Sequence, residues 1–427
     1  MTSYPPDALV RVRPFTHQQD GDMVTIGDVE RGVFLEIPAE GLDILNALSA
    51  GRTVGETVRL FEQRHGETPD IEDFLVALDD EGFLGEATLD VTPTGTRPPR
   101  RGVSLDWVSP ESARRLVGVP VLVVLGLLIA AGLVLVIDDP GVLPDPTRAF
   151  VFPVYFAALT WSTVAITLVG VALHELAHVV AARAAGVAAR IGISNQLYTL
   201  VVHTDMTAIW LAPRRQRYVA FLIGAVVDAV GASFVVALIW ASRHGLVTLP
   251  RWLSLLASAV LMAYFIRIGW QFFFYLRTDI YYVVATAFRC RNLLDDTDDF
   301  LRNKLAWLVR SKRRIDQSAI PAREMRVIRV YSVLWVVGRF LAILSFIGIG
   351  GTLLVFYAYQ LVLWVTGQHS QFGSFDFATM AILTFAIDGG GLALWLRSLY
   401  RGAKERRHRY QRAAARETAA VPDAEAA

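Results

Sequence analysis

The strongest constraint on this chain is its set of long apolar runs, at residues 116–137, 150–173, 218–242, 252–276, 341–365 and 375–396. A helix needs about twenty apolar residues to cross the hydrocarbon of a bilayer, and these runs are of that length. A helix also closes its backbone hydrogen bonds within one segment, so such runs are expected to be transmembrane helices. A hydrophobic share of 54% and a mean hydropathy of +0.42 place the chain with integral membrane proteins rather than soluble enzymes. The expected architecture is mainly α: a polytopic helical membrane protein with about six spans, preceded by a small N-terminal α+β domain. The net charge of +1 points to no particular partner. No internal repeat or nucleic-acid motif stands out.

Within this apolar setting, residues 174–178 read His-Glu-Leu-Ala-His. On a helix His174 and His178 stand one turn apart on the same face, so both imidazoles can reach one metal ion, with Glu175 beside them. This is the H-E-x-x-H zinc arrangement, with two neutral nitrogen ligands and a carboxylate left free to take a proton from water. On a soluble amphipathic helix the same residues would be two solvated histidines. The almost wholly apolar stretch 151–173 argues against that, because ionisable groups beside a span are costly unless they bind or react. Cys290 is the single cysteine, which excludes disulfides and any thiolate-rich zinc site and leaves His, Asp and Glu as ligands.

A catalytic zinc usually takes three protein ligands, so one must come from outside this motif. Asp279, Asp228, Asp388, Asp205 and His203 are the candidates. With the second run ending at residue 173, His174 lies at its cytosolic end, the level at which Asp279 follows the fourth run. Asp228 and Asp388 lie inside their runs, on the order of 15 Å deeper. Pairing with Arg267, or a place lining the site, suits them better than direct ligation. His203 and Asp205 belong to the β-rich region around residues 198–202 and rank second.

Residues 9–87 read as a small soluble domain. Two β-type stretches, 9–12 and 23–37, are separated by polar turns such as 19–22. Three helices follow: 41–50; one capped by Thr53 with Glu56 as a capping box; and one capped by Asp70 that buries Phe74, Leu75 and Leu78 before Gly82 closes it. The stretch 92–108 is rich in Pro, Gly, Thr and Arg, the composition of an exposed linker, and Ser109 with Pro110 then starts a helix. The expected division is a small soluble domain at 1–90, a linker at 91–108, a membrane domain at 109–400 and a disordered basic tail at 401–427.

The first residues lack the apolar core of a secretory signal, so the N-terminal domain is expected in the cytosol. Arginines cluster before the first run, after the histidine motif, across 277–339 and after Arg397, whereas the alternate loops hold few. The positive-inside rule then makes the chain a multi-pass protein of the cell membrane with both termini cytoplasmic. The segment 327–366 contains Gly348, Gly350 and Gly351 and is read as one helix beginning in the cytosol with Arg329 and Arg339. Two helices there would place the tail outside.

Two resemblances add to this. The run from Ser49 to Glu56, with Asp73-Phe74-Leu75 and Glu81-Gly82-Phe83-Leu84, resembles PqqD-like domains, in which a winged-helix-like module captures a peptide by adding it to a sheet edge. The histidine motif, the stretch Gly224-Ala225-Val226-Val227-Asp228, and Leu276-Arg277-Thr278-Asp279-Ile280-Tyr281-Tyr282 are similar to the site-2 protease family of intramembrane zinc metalloproteases, in its peptide zinc metalloprotease branch. That resemblance implies His174, His178 and Asp279 as zinc ligands and Glu175 as catalytic acid and base. The chain departs from the family in two places. Ile280 stands where a glycine usually follows the ligand aspartate, and Asp228 stands where the family has asparagine. The second puts in doubt a substrate-holding or oxyanion role for that position, since an ionised carboxylate would repel the developing charge.

The function expected is that of a zinc endopeptidase embedded in the lipid bilayer, acting on a peptide or membrane-associated substrate, with natural-product peptide maturation as one setting. The rivals are a non-proteolytic membrane component that binds or exports a modified peptide, and a metal or solute transporter. A transporter would need more polar residues along its path than Asp228, Arg267 and Asp388 provide. Nothing in the sequence specifies an oligomeric state.

Overall fold

The computed structural model describes residues 4–28, 33–85, 107–196, 199–290, 292–310, 315–318, 320–345, 347–348, 351–368, 372–383, 393, 397 and 400. Most of the expected linker, Asp388 and the basic tail lie outside the described residues.

The N-terminal domain runs β1 (Arg11–Val12), β2 (Thr16–Asp20), β3 (Met23–Asp28), β4 (Val33–Pro38), α1 (Gly41–Ser49), α2 (Val54–His65), α3 (Ile71–Asp80) and β5 (Leu84–Gly85). Strands β2, β3 and β4 form an antiparallel meander, and β1 pairs with β5. Strand β2 was not expected: its sequence, Thr-His-Gln-Gln-Asp, has no apolar alternation, and its pairing with β3 makes it a strand. The helices start where their caps dictate. Thr53 and Glu56 form the reciprocal capping box, and Asp70 accepts from the Asp73 amide. Val24, Ile26, Leu45, Leu48, Leu75 and Leu78 make the buried core, while Phe74 is only partly buried against it.

The remainder is helical: α4 (Pro110–Leu116), α5 (Val119–Asp138), α6 (Phe156–Ala184), a hairpin of β6 (Arg190–Gln196) and β7 (Thr199–Asp205), a 3-10 turn (Thr207–Leu211), α7 (Arg214–Arg243), α8 (Arg251–Trp270), α9 (Asp279–Phe288), α10 (Leu293–Leu308), α11 (Ala322–Ser345), α12 (Gly351–Val365) and α13 (Ser374–Ala381). Ser109 caps α4 and Pro110 occupies its first position. Among the described residues, five helices are long and apolar enough to cross a membrane: Pro110–Asp138, Phe156–Ala184, Arg214–Arg243, Arg251–Trp270 and Ala322–Leu344. Helix α7 is central and packs against α5, α6, α8 and α9. Small residues permit close approach; a Cβ on Gly132 of α5 would lie 2.6 Å from Cβ of Ser233 on α7.

Within segment 327–366 the described helices are α11, to Ser345, and α12, from Gly351; residues 346, 349 and 350 between them, on which the expectation of a single helix turns, lie outside the described residues. Two boundaries differ from expectation. Helix α6 does not end near residue 173 but continues to Ala184, and α8 ends at Trp270 rather than near residue 276. Both shifts bear on the site.

The N-terminal domain is docked on the helical part. Phe34 of β4 packs on the cluster that includes Ile209, Ala220 and Phe221. Asp20, at the end of β2, faces Nη1 of Arg217 at 3.5 Å and Nη2 of Arg289 at 3.9 Å.

Candidate metal centre

Because α6 extends to Ala184, His174 and His178 lie well inside the helix and are buried, 7% and 2% exposed, as is Glu175. They face α7, where a glycine makes room. A Cβ on Gly224 would lie 2.6 Å from Nε2 of His174 and closer still to Nε2 of His178. One turn before it, the Ala220 carbonyl receives Nδ1–H of His178 at 2.7 Å. A carbonyl oxygen only accepts, so Nδ1 carries a proton and Nε2 is left as a lone-pair donor whenever the ring is neutral.

The early end of α8 brings the third side chain to the pair. Residues 271–278 form a non-helical passage, and α9 begins with Asp279. Gln271 fixes this turn: its Oε1 accepts from the Asp279 amide at 3.1 Å and its carbonyl accepts from the Thr278 hydroxyl at 2.8 Å. Thr278 caps α9 by accepting from the Tyr281 amide. At a helix N-terminus the Asp279 carboxylate also has the favourable end of the backbone dipole.

Oδ2 of Asp279 lies 3.2 Å from Nε2 of His174 and 3.2 Å from Nε2 of His178, and the two nitrogens are 3.1 Å apart. These atoms form a nearly equilateral triangle. For bonds of about 2.0 Å the edge of a regular tetrahedron is about 3.3 Å, so the triangle has the size of one face of a tetrahedral zinc site. With both Nδ1 atoms engaged elsewhere, neutral imidazoles would turn two lone pairs towards the carboxylate, an arrangement that a cation at the centre satisfies. An imidazolium proton would also satisfy it, as a buried ion pair. Among the described residues this trio is the one group able to hold a metal ion. The sole cysteine is no competitor: burial pushes the Cys290 thiol up to about 11, far from thiolate.

The other sequence candidates separate. Asp228 is not deeper than the histidines but touches one, with Oδ2 2.9 Å from Nδ1 of His174 and Oδ1 accepting from Arg267 Nη2. The depth estimate failed because it ended the second span with the apolar run at residue 173, eleven residues before α6 itself ends at Ala184. The pairing with Arg267 is as expected. His203 and Asp205 sit on β7, away from the trio; Asp205 Oδ1 accepts from the amide and hydroxyl of Thr207 and starts the 3-10 turn. Sequence reasoning overlooked Thr204, whose hydroxyl donates to Oε2 of Glu175 at 2.7 Å, and Gln271. Neither belongs to a motif; only tertiary contact marks them.

Thr204 also lines a cleft of about 560 Å³ between the hairpin, the 3-10 turn, α7 and α9. His203, Asp205 and Arg190 make its polar side, and Trp210, Phe221 and Tyr282 its aromatic side. Phe221 and Tyr282 stack at 5.2 Å.

No family model, curated protein or solved structure matches this chain. The case for its function therefore rests on the site.

Proposed function

We propose that the protein is a membrane-embedded zinc endopeptidase of the site-2 protease type, with His174, His178 and Asp279 as metal ligands and Glu175 as acid and base. The observation that carries this is the triangle of Nε2, Nε2 and Oδ2 with sides of 3.1–3.2 Å, set on the same helix turn as a carboxylate that ligates nothing. Bound zinc would polarise the scissile carbonyl and acidify water. Glu175 takes the proton of the attacking water and delivers it to the leaving amine. Thr204 holds Oε2 of that carboxylate, leaving the other oxygen for the proton.

The membrane setting is supported by five apolar helices whose outer faces carry Val123, Val124, Leu127, Leu133 and Val134 of α5 and Val330, Val333 and Phe340 of α11, all exposed. Burying a catalytic centre among such helices requires a substrate in extended form, because a helix hides its carbonyls. The cleft beside Thr204 receives it, and the N-terminal domain, PqqD-like and winged-helix-like in this reading, presents the peptide. Transport fits less well, since Asp228 and Arg267 neutralise each other instead of lining a path.

The deciding experiment is metal content beside cleavage. Glu175→Gln should keep about one zinc and lose peptide hydrolysis, whereas His174→Ala and Asp279→Ala should lose the metal. Zinc-free parent protein, or undiminished cleavage by Glu175→Gln, would overturn the proposal.

A further inference from the structure

Behind the candidate ligands lies a second assembly of buried and partly buried polar groups, drawn from three helices, that the chemistry above does not use. Asp228 of α7 is 1% exposed. Its Oδ2 lies 2.9 Å from Nδ1 of His174 on α6, and its Oδ1 accepts from Nη2 of Arg267 on α8. The guanidinium is carried over the ring of Tyr264, 5.4 Å from its centroid. Two glycines leave the space for this. A Cβ on Gly170 of α6 would overlap Nη1 of Arg267, and one on Gly231 of α7 would lie 2.5 Å from the Tyr264 hydroxyl oxygen.

A buried carboxylate without a counter-charge is costly, and Arg267 supplies that charge from the side away from the histidine. With Oδ1 anchored, Oδ2 is held where it accepts Nδ1–H of His174. That bond fixes the plane of the ring and aims Nε2 at the other two ligand atoms. Carboxylates placed this way behind ligand histidines set both tautomer and ring orientation. We infer that Asp228 and Arg267 form one positioning unit that aims His174 at a divalent cation, so that Arg267, whose guanidinium bonds Asp228 and none of the three ligands, contributes to metal affinity. This rests on the zinc reading of the trio.

The test uses the full chain in detergent with Zn²⁺ itself as the probe, competed against a chromophoric chelator. Asp228→Asn and Arg267→Gln should each weaken Zn²⁺ binding by about 10- to 100-fold. The double variant should bind no worse than the weaker single, because both changes break the same link. Asp228→Asn should also alter the visible spectrum of the Co²⁺-loaded protein, a ligand-geometry signature that a general loss of stability does not produce. Gly170→Ala guards against misfolding: its Cβ presses on the side-chain end of Arg267, meets the Tyr264 hydroxyl at an ordinary 3.6 Å, and adds helix propensity. It should weaken Zn²⁺ binding while the metal-free protein keeps the parent's helical circular dichroism and melts in one cooperative transition. Unchanged affinity in Asp228→Asn, parent-like affinity in Arg267→Gln and Gly170→Ala, or fully additive losses in the double variant would overturn the unit while leaving the zinc site standing. A parent that binds no Zn²⁺ would overturn both.

Discussion

Gly224 on α7 stands against His174 so closely that a single methyl group would lie 2.6 Å from the imidazole Nε2. The methyl would press on the Nε2 atoms of both His174 and His178. Gly224→Ala is therefore expected to abolish zinc binding while costing about 1–3 kcal/mol of stability, the usual range for one added carbon in a packed interior. Metal analysis together with a thermal melt checks this; parent-like zinc in a folded Gly224→Ala protein would show that the histidine pair is not the site.

The Thr204 hydroxyl donates a hydrogen bond of 2.7 Å to Oε2 of the Glu175 side chain. A hydrogen bond to a charged group is worth about 1.5–3 kcal/mol. Thr204→Val, which keeps the shape and removes the donor, should lower kcat by about 10- to 100-fold at unchanged zinc content. Thr204→Ser should retain most of the rate. Equal kcat for Thr204→Val would leave the threonine no part in holding the base.

Asp20 faces both Arg217 and Arg289, and Arg217 lies over the ring of Trp210 in the wall of the cleft. Asp20→Arg should undo the docking of the N-terminal domain by like-charge repulsion. Hydrogen exchange should then quicken across residues 207–217, and KM for a peptide substrate should rise more than kcat falls. If exchange there stays at the parent rate, the domain is not held through Asp20.

Helix α10 carries four aspartates, and burial first, then Asp295 and Asp299, raises the pKa of Asp296 above the ordinary carboxylate value. A carboxyl with a raised folded-state pKa binds its proton more tightly in the folded protein. Stability therefore falls as pH rises from the unfolded value, about 3.9, through the raised one, and the penalty is complete at neutral pH. Asp296→Asn should raise the thermal midpoint at pH 7, and the gain should vanish below about pH 4. A gain that persists in acid would trace to something other than the carboxylate.

Local chemistry settles a good part of this protein before any tertiary contact forms. The i, i+4 spacing puts His174 and His178 on one helical face whatever surrounds them, and the side chains of Thr53, Asp70 and Ser109 start their helices because each satisfies an amide within its own turn. The first four apolar runs likewise specify long helices by length and composition alone, whereas the fifth long apolar helix, Ala322–Leu344, lies ahead of the run expected at 341–365. What lay beyond reach was wherever one segment decides the fate of another. Strand β2 exists because β3 pairs with it, not through its own polar sequence. The end of an apolar run is not the end of a helix, so α6 carries His174 to the level of Asp228, into a contact that counting along each run does not place. Gln271, which turns the chain so that Asp279 reaches the histidines, and Thr204, which reaches Glu175 from the hairpin, have no periodicity or motif to mark them. Their roles are set by distances across the fold, and a distance between two side chains far apart in sequence is fixed only when the helices between them have packed.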